Sequence, residues 1–236
     1  MVAGLPDGIL QATARRLSAL GARIVLCDAE VSDAMTSHFA ADLSREGEAR
    51  RLLDFIEREF GRLDLMVNGP PRTPDIDWPD TADDQLLAAA SPAIRHWAGS
   101  VHAAAPLLAR AQGRIVSVVS SVGRYRSGYF RPAKATLSST PEALAHGAIL
   151  ALIRQLALEL APKRVRLNAV VVGLLEGAVE LAQMSETERR YLLEEISMGR
   201  PGTPEEVAAV IAFLASSASN YLTGTAVDVN GGWWMS

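Results

Sequence analysis

Residues 140–173 constrain the fold most strongly, because a long apolar helix pattern runs directly into a strand pattern. The pair Thr140-Pro141, a cap residue followed by a proline at the first helical position, predicts a helix start. Pro162 ends the helix, and the valine-rich residues 165–172 are typical of a buried parallel strand. Between them, apolar side chains recur at helical spacing, namely Leu144, Ala148, Leu152, Leu156 and Leu160. This order of helix and strand predicts an α/β domain.

The composition fits a single globular domain over residues 1–236, with 49% hydrophobic and 21% charged residues. A net charge of −4 gives no reason to expect a nucleic acid or an anionic membrane as partner. Cys27 is the only cysteine, so no internal disulfide forms and no cysteine cluster binds a metal. Without a run of about 18 apolar residues, we expect a soluble cytoplasmic protein.

Several stretches resemble the short-chain dehydrogenase/reductase family. They are LALELAPKRVRLNAVVVG at 156–173, GRIVSVVSS at 113–121, GRPGTPEEV at 199–207 and VDVNGG at 227–232. The resemblance implies a three-layer, doubly wound parallel sheet of the Rossmann-like type. It also puts Ala3 at the end of the first strand, so we expect that strand to be truncated or absent. Pro92 is expected to kink or split a helix over residues 83–111.

The catalytic positions that the resemblance implies are largely replaced. The family transfers a proton through a Tyr-x-x-x-Lys pair, supported by a serine and an asparagine. In this chain Ser121 keeps the serine position, whereas Glu142 stands for tyrosine, His146 for lysine and Ala93 for asparagine. Losing either the tyrosine or the lysine is expected to remove several kcal/mol of transition-state stabilisation.

The cofactor positions that the resemblance implies are also eroded. Of the glycine-rich phosphate loop, Gly4 and Gly8 remain, while Leu10 replaces the third glycine and Asp7 adds a negative charge. Asp28 ends a strand where an acid favours NAD by accepting from the adenosine ribose. Two further vestigial positions, Asp42 and Asn68, match the family pattern. The expectation is therefore no cofactor, or NAD if one binds at all, and no metal.

The sequence stretches that specify the fold are kept, whereas residues at the catalytic and cofactor positions are lost. This pattern favours a catalytically inactive subunit with a structural or regulatory role. In the family, the long fourth helix, the helix after the catalytic serine and the last strand form subunit contacts. The resemblance therefore implies a hetero-oligomer, such as a tetramer, with an active dehydrogenase of the same family. A homo-oligomer is the alternative arrangement.

Two active alternatives remain open. The segment 124–134 belongs to an insertion that is rich in basic and aromatic residues. It contains Tyr125, Tyr129 and Lys134. These side chains have the chemical types needed to replace the lost tyrosine and lysine in an NAD-dependent oxidoreductase. Alternatively, Glu142 and His146 lie four apart on one helix face and form with Ser121 the residue set of a non-redox, hydrolytic enzyme. A cofactor-free dehalogenase, another branch of the family, keeps the tyrosine and has arginine at the lysine position, so it does not fit this chain.

Overall fold

The computed structural model describes most of the chain. The described residues are 1–3, 8–28, 37–41, 43, 45, 47–70, 73–74, 76, 83–125, 139–178, 181–182 and 184–235.

Seven parallel strands form one sheet in the order β3-β2-β1-β4-β5-β6-β7. The strands are β1 Val2–Ala3, β2 Val25–Asp28, β3 Ser37–Ala40, β4 Leu65–Asn68, β5 Arg114–Ser120, β6 Arg166–Val172 and β7 Ala226–Val229. The chain winds outward in one direction from β1 to β3 and in the other from β4 to β7. This reversal between β1 and β4 confirms the doubly wound prediction, and it opens a crevice at the carboxyl ends of these two strands.

Helices cover both faces of the sheet. They are α1 Gly8–Ala19, α2 Glu48–Phe60, α3 Asp83–Ala111, α4 Thr140–Leu160, α5 Glu186–Glu195 and α6 Pro204–Ala215. One apolar layer contains side chains of α1 and α6, and the other contains side chains of α2, α3 and α4. The three-layer architecture is therefore confirmed.

The first strand is a stub rather than absent. Val2 and Ala3 pair with both β2 and β4, so the sheet is continuous at its centre. Met1 continues the ladder towards β4: its nitrogen donates to the Leu65 carbonyl at 2.8 Å, and its own carbonyl accepts from Val67 N–H at 3.0 Å.

Two details of the helices differ from the predictions. Of the two outcomes predicted for Pro92, a kink or a split, the split is wrong, because α3 runs unbroken past both Pro92 and Pro106. Pro92 cannot donate to the Ala88 carbonyl, four residues earlier. Next to it, the Ser91 hydroxyl donates to the Leu87 carbonyl at 2.5 Å. The cap of α4 is Ser139 rather than Thr140, because the Ser139 hydroxyl accepts from the amide of Glu142.

The central helix α4 has the length and apolar composition of a membrane-spanning helix, with a mean hydropathy of 1.4 over its most apolar window. It nevertheless packs against α3 and the sheet, and its side chains Ile149, Ile153 and Ala157 are buried in the core. It is therefore a core helix of the domain. Only 39% of that window is buried, so much of its apolar surface remains uncovered.

Candidate active site

The position of the family serine lies where β5 meets a short 3-10 turn. Ser120 ends the strand and caps the turn Ser121–Gly123. Its hydroxyl accepts from the amide of Val122 within that turn. Ser121 is buried, and its carbonyl accepts from the amides of Arg124 and Tyr125 at 3.0 and 2.8 Å. The backbone therefore holds Ser121 at the carboxyl end of the sheet, as the sequence predicted.

His146 is built into this turn as a hydrogen-bond acceptor. Its ring Nδ1 accepts from the backbone amide of Ser120 at 3.0 Å, and only 1% of the residue is exposed. Because Nδ1 accepts, the neutral ring carries its proton on Nε2. Burial lowers the pKa of His146 to about 4, since the charged imidazolium would lose its hydration. The ring is therefore uncharged at neutral pH.

Glu142 lies one helical turn before His146 and faces it. Its Oε1 atom is 3.8 Å from Nε2 of His146, and 31% of the Glu142 side chain is exposed. This nearby carboxylate does not make the ring a cation, because burial holds the pKa of His146 at about 4. The structure thus brings Ser121, Glu142 and His146 to one place and leaves no positive charge at the lysine position.

This arrangement does not resemble a hydrolytic triad. A histidine that activates a serine needs a ring nitrogen free to accept the serine proton. In His146 the Nδ1 lone pair is bonded to the Ser120 amide, and Nε2 carries the proton on the side facing Glu142. The geometry therefore gives no support to the non-redox alternative.

The position of the family asparagine is an apolar contact between helices. Ala93 is buried and packs with Ala90 and Ala145 where α3 crosses α4. Four residues further along α3, the buried Trp97 donates from Nε1 to the Ser117 hydroxyl on β5 at 2.9 Å. Its polar atom is thus used in packing, and no water-relay amide stands at Ala93.

Two positions of the phosphate loop, the retained Gly8 and the replaced Leu10, lie among the described residues, and both serve packing. Gly8 begins α1, and a Cβ atom at this position would lie 3.0 Å from Pro204 Cγ, so the glycine allows α1 to approach α6 closely. Leu10 is 1% exposed and packs in the layer between the sheet, α1 and α6. Its side chain therefore points into the core, whereas Gly4 and Asp7 lie outside the described residues.

The crevice at the carboxyl ends of β1 and β4 retains groups suited to a dinucleotide. Asn68 ends β4 beside Ala3 and is 4% exposed, and its Nδ2 atom has no hydrogen-bond partner among the described residues. A buried amide donor left unpaired is costly, and a ligand oxygen in the crevice would satisfy it. Asp28 ends β2 next to the same crevice, and Asp42 lies outside the described residues. Of these three positions, the Asn68 amide is the described side chain that fits an oxygen of a nicotinamide dinucleotide.

The described part of the insertion is turned towards β7. Arg124 and Tyr125 both bind the Asp228 carboxylate, through Nη1 at 3.1 Å and the phenol oxygen at 3.0 Å. Tyr125 also stacks on Trp234, with ring centroids 6.0 Å apart. Its hydroxyl is thus occupied by a contact that sequence reasoning missed, while Tyr129 and Lys134 lie outside the described residues. Over the described ranges no group of three or more histidine, cysteine, aspartate or glutamate residues is placed to hold a metal ion.

Comparison with known proteins supports the fold and the resemblance of the sequence stretches described above. The profile of the family described as enoyl-(acyl carrier protein) reductase matches residues 4–234. The ketoacyl reductase 2 of the granaticin polyketide synthase of Streptomyces violaceoruber is 35% identical, over 98% of this chain and 94% of its own length. An uncharacterised oxidoreductase of Mycobacterium bovis is 31% identical over 98% and 95%. The 3-oxoacyl-[acyl-carrier-protein] reductase of Escherichia coli K12 is 27% identical over 100% and 96%.

Solved structures show the same fold. The aldohexose dehydrogenase of Thermoplasma acidophilum superposes with a TM-score of 0.82 at 22% identity, covering 98% of this chain and 92% of its own. A short-chain oxidoreductase of Pseudomonas aeruginosa PAO1, described as containing an atypical catalytic centre, has a TM-score of 0.80 at 26% identity over 100% and 96%. The relatives are named reductases and dehydrogenases, which gives no support to the expectation of a chain without cofactor. The matched profile and the relatives together establish that this chain belongs to the short-chain dehydrogenase/reductase family of oxidoreductases.

Proposed function

We propose that this chain is a non-catalytic subunit that assembles with a catalytically competent member of the same family. The observation that carries the proposal is the state of His146, a buried neutral ring bonded to the Ser120 amide at the position of the family lysine. The lysine ammonium lowers the pKa of the neighbouring tyrosine and so prepares it for proton transfer. Here the cation and the phenol are both replaced, and the substitute for the cation is held uncharged.

The surface of α4 supports assembly. Leu158 on this helix is 72% exposed, and Leu87 on α3 is 58% exposed. Leu144, Leu152 and Leu156 on α4 are only partly covered. Exposed and partly covered leucines that recur along one helix are a feature that α4 shares with helices at protein–protein interfaces. A second family subunit that presents the same two helices would bury them, and the hetero-oligomer is our proposal for that partner.

NAD is the cofactor that we propose for the crevice between β1 and β4. Asp28 would accept hydrogen bonds from the adenosine ribose, and the unpaired Asn68 amide would donate to the bound molecule. When bound, NADH supplies a hydride for the reduction of a carbonyl group. One solved structure of the same fold is described as an NADPH-dependent reductase, so retention of the crevice also fits the second candidate function.

The second candidate is an oxidoreductase with an atypical centre. It is favoured by the exposed fraction of Glu142, which lets a protonated carboxyl reach a substrate oxygen from the tyrosine position, and by the Pseudomonas aeruginosa relative. In this reading Glu142 donates the proton, Ser121 binds the carbonyl oxygen, and neutral His146 orients the carboxyl. The relocated pair from the insertion is less favoured, because the Tyr125 hydroxyl is bound to Asp228.

The test separates the two candidates. The purified chain is titrated with NADH and NADPH by fluorescence, and it is assayed with a 3-oxoacyl thioester, the substrate class named in one relative. The chain is also co-expressed with each catalytic family member of its source genome, and complexes are isolated by size-exclusion chromatography. We expect no turnover by the chain alone, together with a stable complex whose turnover is unchanged by Glu142→Gln.

Two exposed leucines provide a matched control for assembly. Leu158→Asp on α4 is expected to abolish the complex, whereas Leu20→Asp after α1, where the residue is 71% exposed, is expected to leave it intact. Both side chains point to solvent in the single chain, so neither change should unfold it. Turnover of NADH by the chain alone that is lost in Glu142→Gln would refute the proposal and establish the second candidate. Equal loss of assembly in both leucine variants would refute the α4 interface.

A further inference from the structure

The outward faces of α3 and α4 lie side by side and follow regular patterns. On α3, exposed residues recur every three or four positions from Ala88 to Pro106. On α4, the uncovered residues Leu144, Ala151 and Leu158 recur every seven positions. Since an α-helix has about 3.6 residues per turn, each set lies along one side of its helix. We call these two sides together the α3–α4 face.

The middle of the α3–α4 face carries positive charge without a counter-charge. Arg95 on α3 and Arg154 on α4 are exposed, and neither makes an ion pair within the described part of the chain. The described acidic side chains of the two helices lie towards the helix ends, at Asp84, Glu142 and Glu159. The guanidinium groups are therefore free to meet the charges of a partner.

The packing of the two helices fixes the height of each arginine on the face. Both helices connect neighbouring parallel strands, so they run in the same direction. Ala93 packs with Ala145, which places Arg95 level with a point four residues before Ala151. Arg154 follows Ala151 by three residues. With a rise of about 1.5 Å per residue, the arginines lie about 6 Å and about 4.5 Å from Ala151, in opposite directions.

A two-fold pairing of this face with a second copy brings the arginines together. Ala151 is midway between Leu144 and Leu158, so an axis at Ala151 lays the leucines of one copy over those of the other. The axis reverses the helix direction, so Arg95 of one copy comes level with Arg154 of the other, to within about 2 Å along the helix. Two such pairs form, and like charges placed opposite each other disfavour an interface.

We propose that the α3–α4 face selects its partner by charge: it repels a second copy and binds a family subunit that has carboxylates opposite Arg95 and Arg154. This inference rests on the proposed function, because it takes the α3–α4 face as the assembly surface. The leucines offer the same apolar area to either partner, so they do not distinguish a second copy from another subunit. The two arginines make that distinction through one repulsive and one attractive arrangement.

The test uses single and double charge reversals in the full chain. Arg95→Glu places a carboxylate opposite Arg154 of a second copy, so this chain gains two ion pairs when it pairs with itself. Adding Arg154→Glu to Arg95→Glu restores like charges, now negative. Arg16→Glu, at an exposed position on α1, changes the net charge as much as Arg95→Glu and serves as the control. Sedimentation velocity gives the dimer dissociation constant of each chain at low ionic strength and at about 0.5 M salt.

We expect Arg95→Glu to dimerise with a dissociation constant at least about tenfold lower than that of the parent, the double variant or Arg16→Glu. High salt should reduce this difference. An equimolar mixture of the parent and the double variant should form a 1:1 dimer, because every arginine then faces a carboxylate. This reciprocal pattern is specific to the predicted heights of Arg95 and Arg154.

A stable dimer of the parent chain at low salt would overturn the proposal. So would equal association of Arg95→Glu with either the double variant or Arg16→Glu, and so would a monomeric state of all four chains and of the mixture. None of these results bears on the non-catalytic role, which the turnover of the chain alone tests separately. A catalytic subunit that binds the chain without acidic residues opposite the two arginines would overturn the charge selection and leave the assembly proposal standing.

Discussion

The uncharged state of His146 leads to a measurable loss of stability on acidification. The pKa of this ring is about 4 in the folded chain, against an ordinary value of 6.5. The unfolded chain therefore binds the proton more tightly, so stability falls as the pH decreases from about 6.5 towards 4. Linkage over this interval gives a loss of about 2 kcal/mol by pH 5 and about 3 kcal/mol by pH 4 from this one group.

The replacement His146→Asn isolates that contribution. The Oδ1 atom of asparagine stands at the same distance along the side chain as Nδ1 of histidine, so it is able to accept from the Ser120 amide, yet it does not titrate. The smaller side chain leaves a cavity, which lowers the stability of the variant by a similar amount at every pH. The difference in unfolding free energy between the parent chain and His146→Asn therefore reports the titration of His146, because the other titratable groups contribute equally in both chains.

The assay is urea unfolding of both chains at half-unit intervals between pH 4.5 and 7.5. We expect the unfolding free energy of the parent chain to exceed that of His146→Asn most at neutral pH, and this advantage to shrink by about 2 kcal/mol at pH 5. Proton NMR of the parent ring should show its titration midpoint near pH 4. An advantage that stays constant over this range, or a ring that titrates near 6.5, would refute the buried neutral state and the functional proposal that rests on it.

Further predictions concern the core and a helix cap. Trp97→Phe should cost about 1–2 kcal/mol in urea unfolding, since the buried Ser117 hydroxyl loses its donor, whereas Phe213→Leu at a 44% exposed position should cost less. Thr203→Ala should lower the thermal stability by about 1 kcal/mol, because α6 loses its capping box with Glu206.

The sequence predicted the elements better than the contacts between them. Apolar periodicity and strand composition located α4 and β6, since both signals are local and the core is built from them. The unbroken α3 was missed, since continuation past Pro92 depends on how the surrounding structure compensates for the lost donor.

The sequence predicted which residues form the candidate site, but it did not predict the hydrogen bonds and ion pairs that these residues and their neighbours make. Ser121, Glu142 and His146 were expected together, and the fold brings them together. The hydrogen bond between the Ser120 amide and His146 joins residues 26 apart, and the ion pair of Arg124 with Asp228 joins residues 104 apart. Neither contact leaves a periodic or compositional signal in one sequence. The charge state of the site depends on the burial of His146, which lowers its pKa, and the sequence does not show that burial.

The uncharged His146 packs against the turn that follows β5. A Cβ atom added at Gly123 would lie 2.5 Å from the Cβ of His146, so this turn rests directly on α4 at the position of the family lysine. A lysine at position 146 would leave the Ser120 amide without its acceptor and would place an ammonium where burial already disfavours an imidazolium. His146→Lys alone is therefore expected to destabilise the chain without restoring proton transfer. Placing a lysine ammonium at this position would require the turn and the helix to change together. In the proposed non-catalytic subunit, the missing cation is therefore a consequence of the packing and not of one side chain.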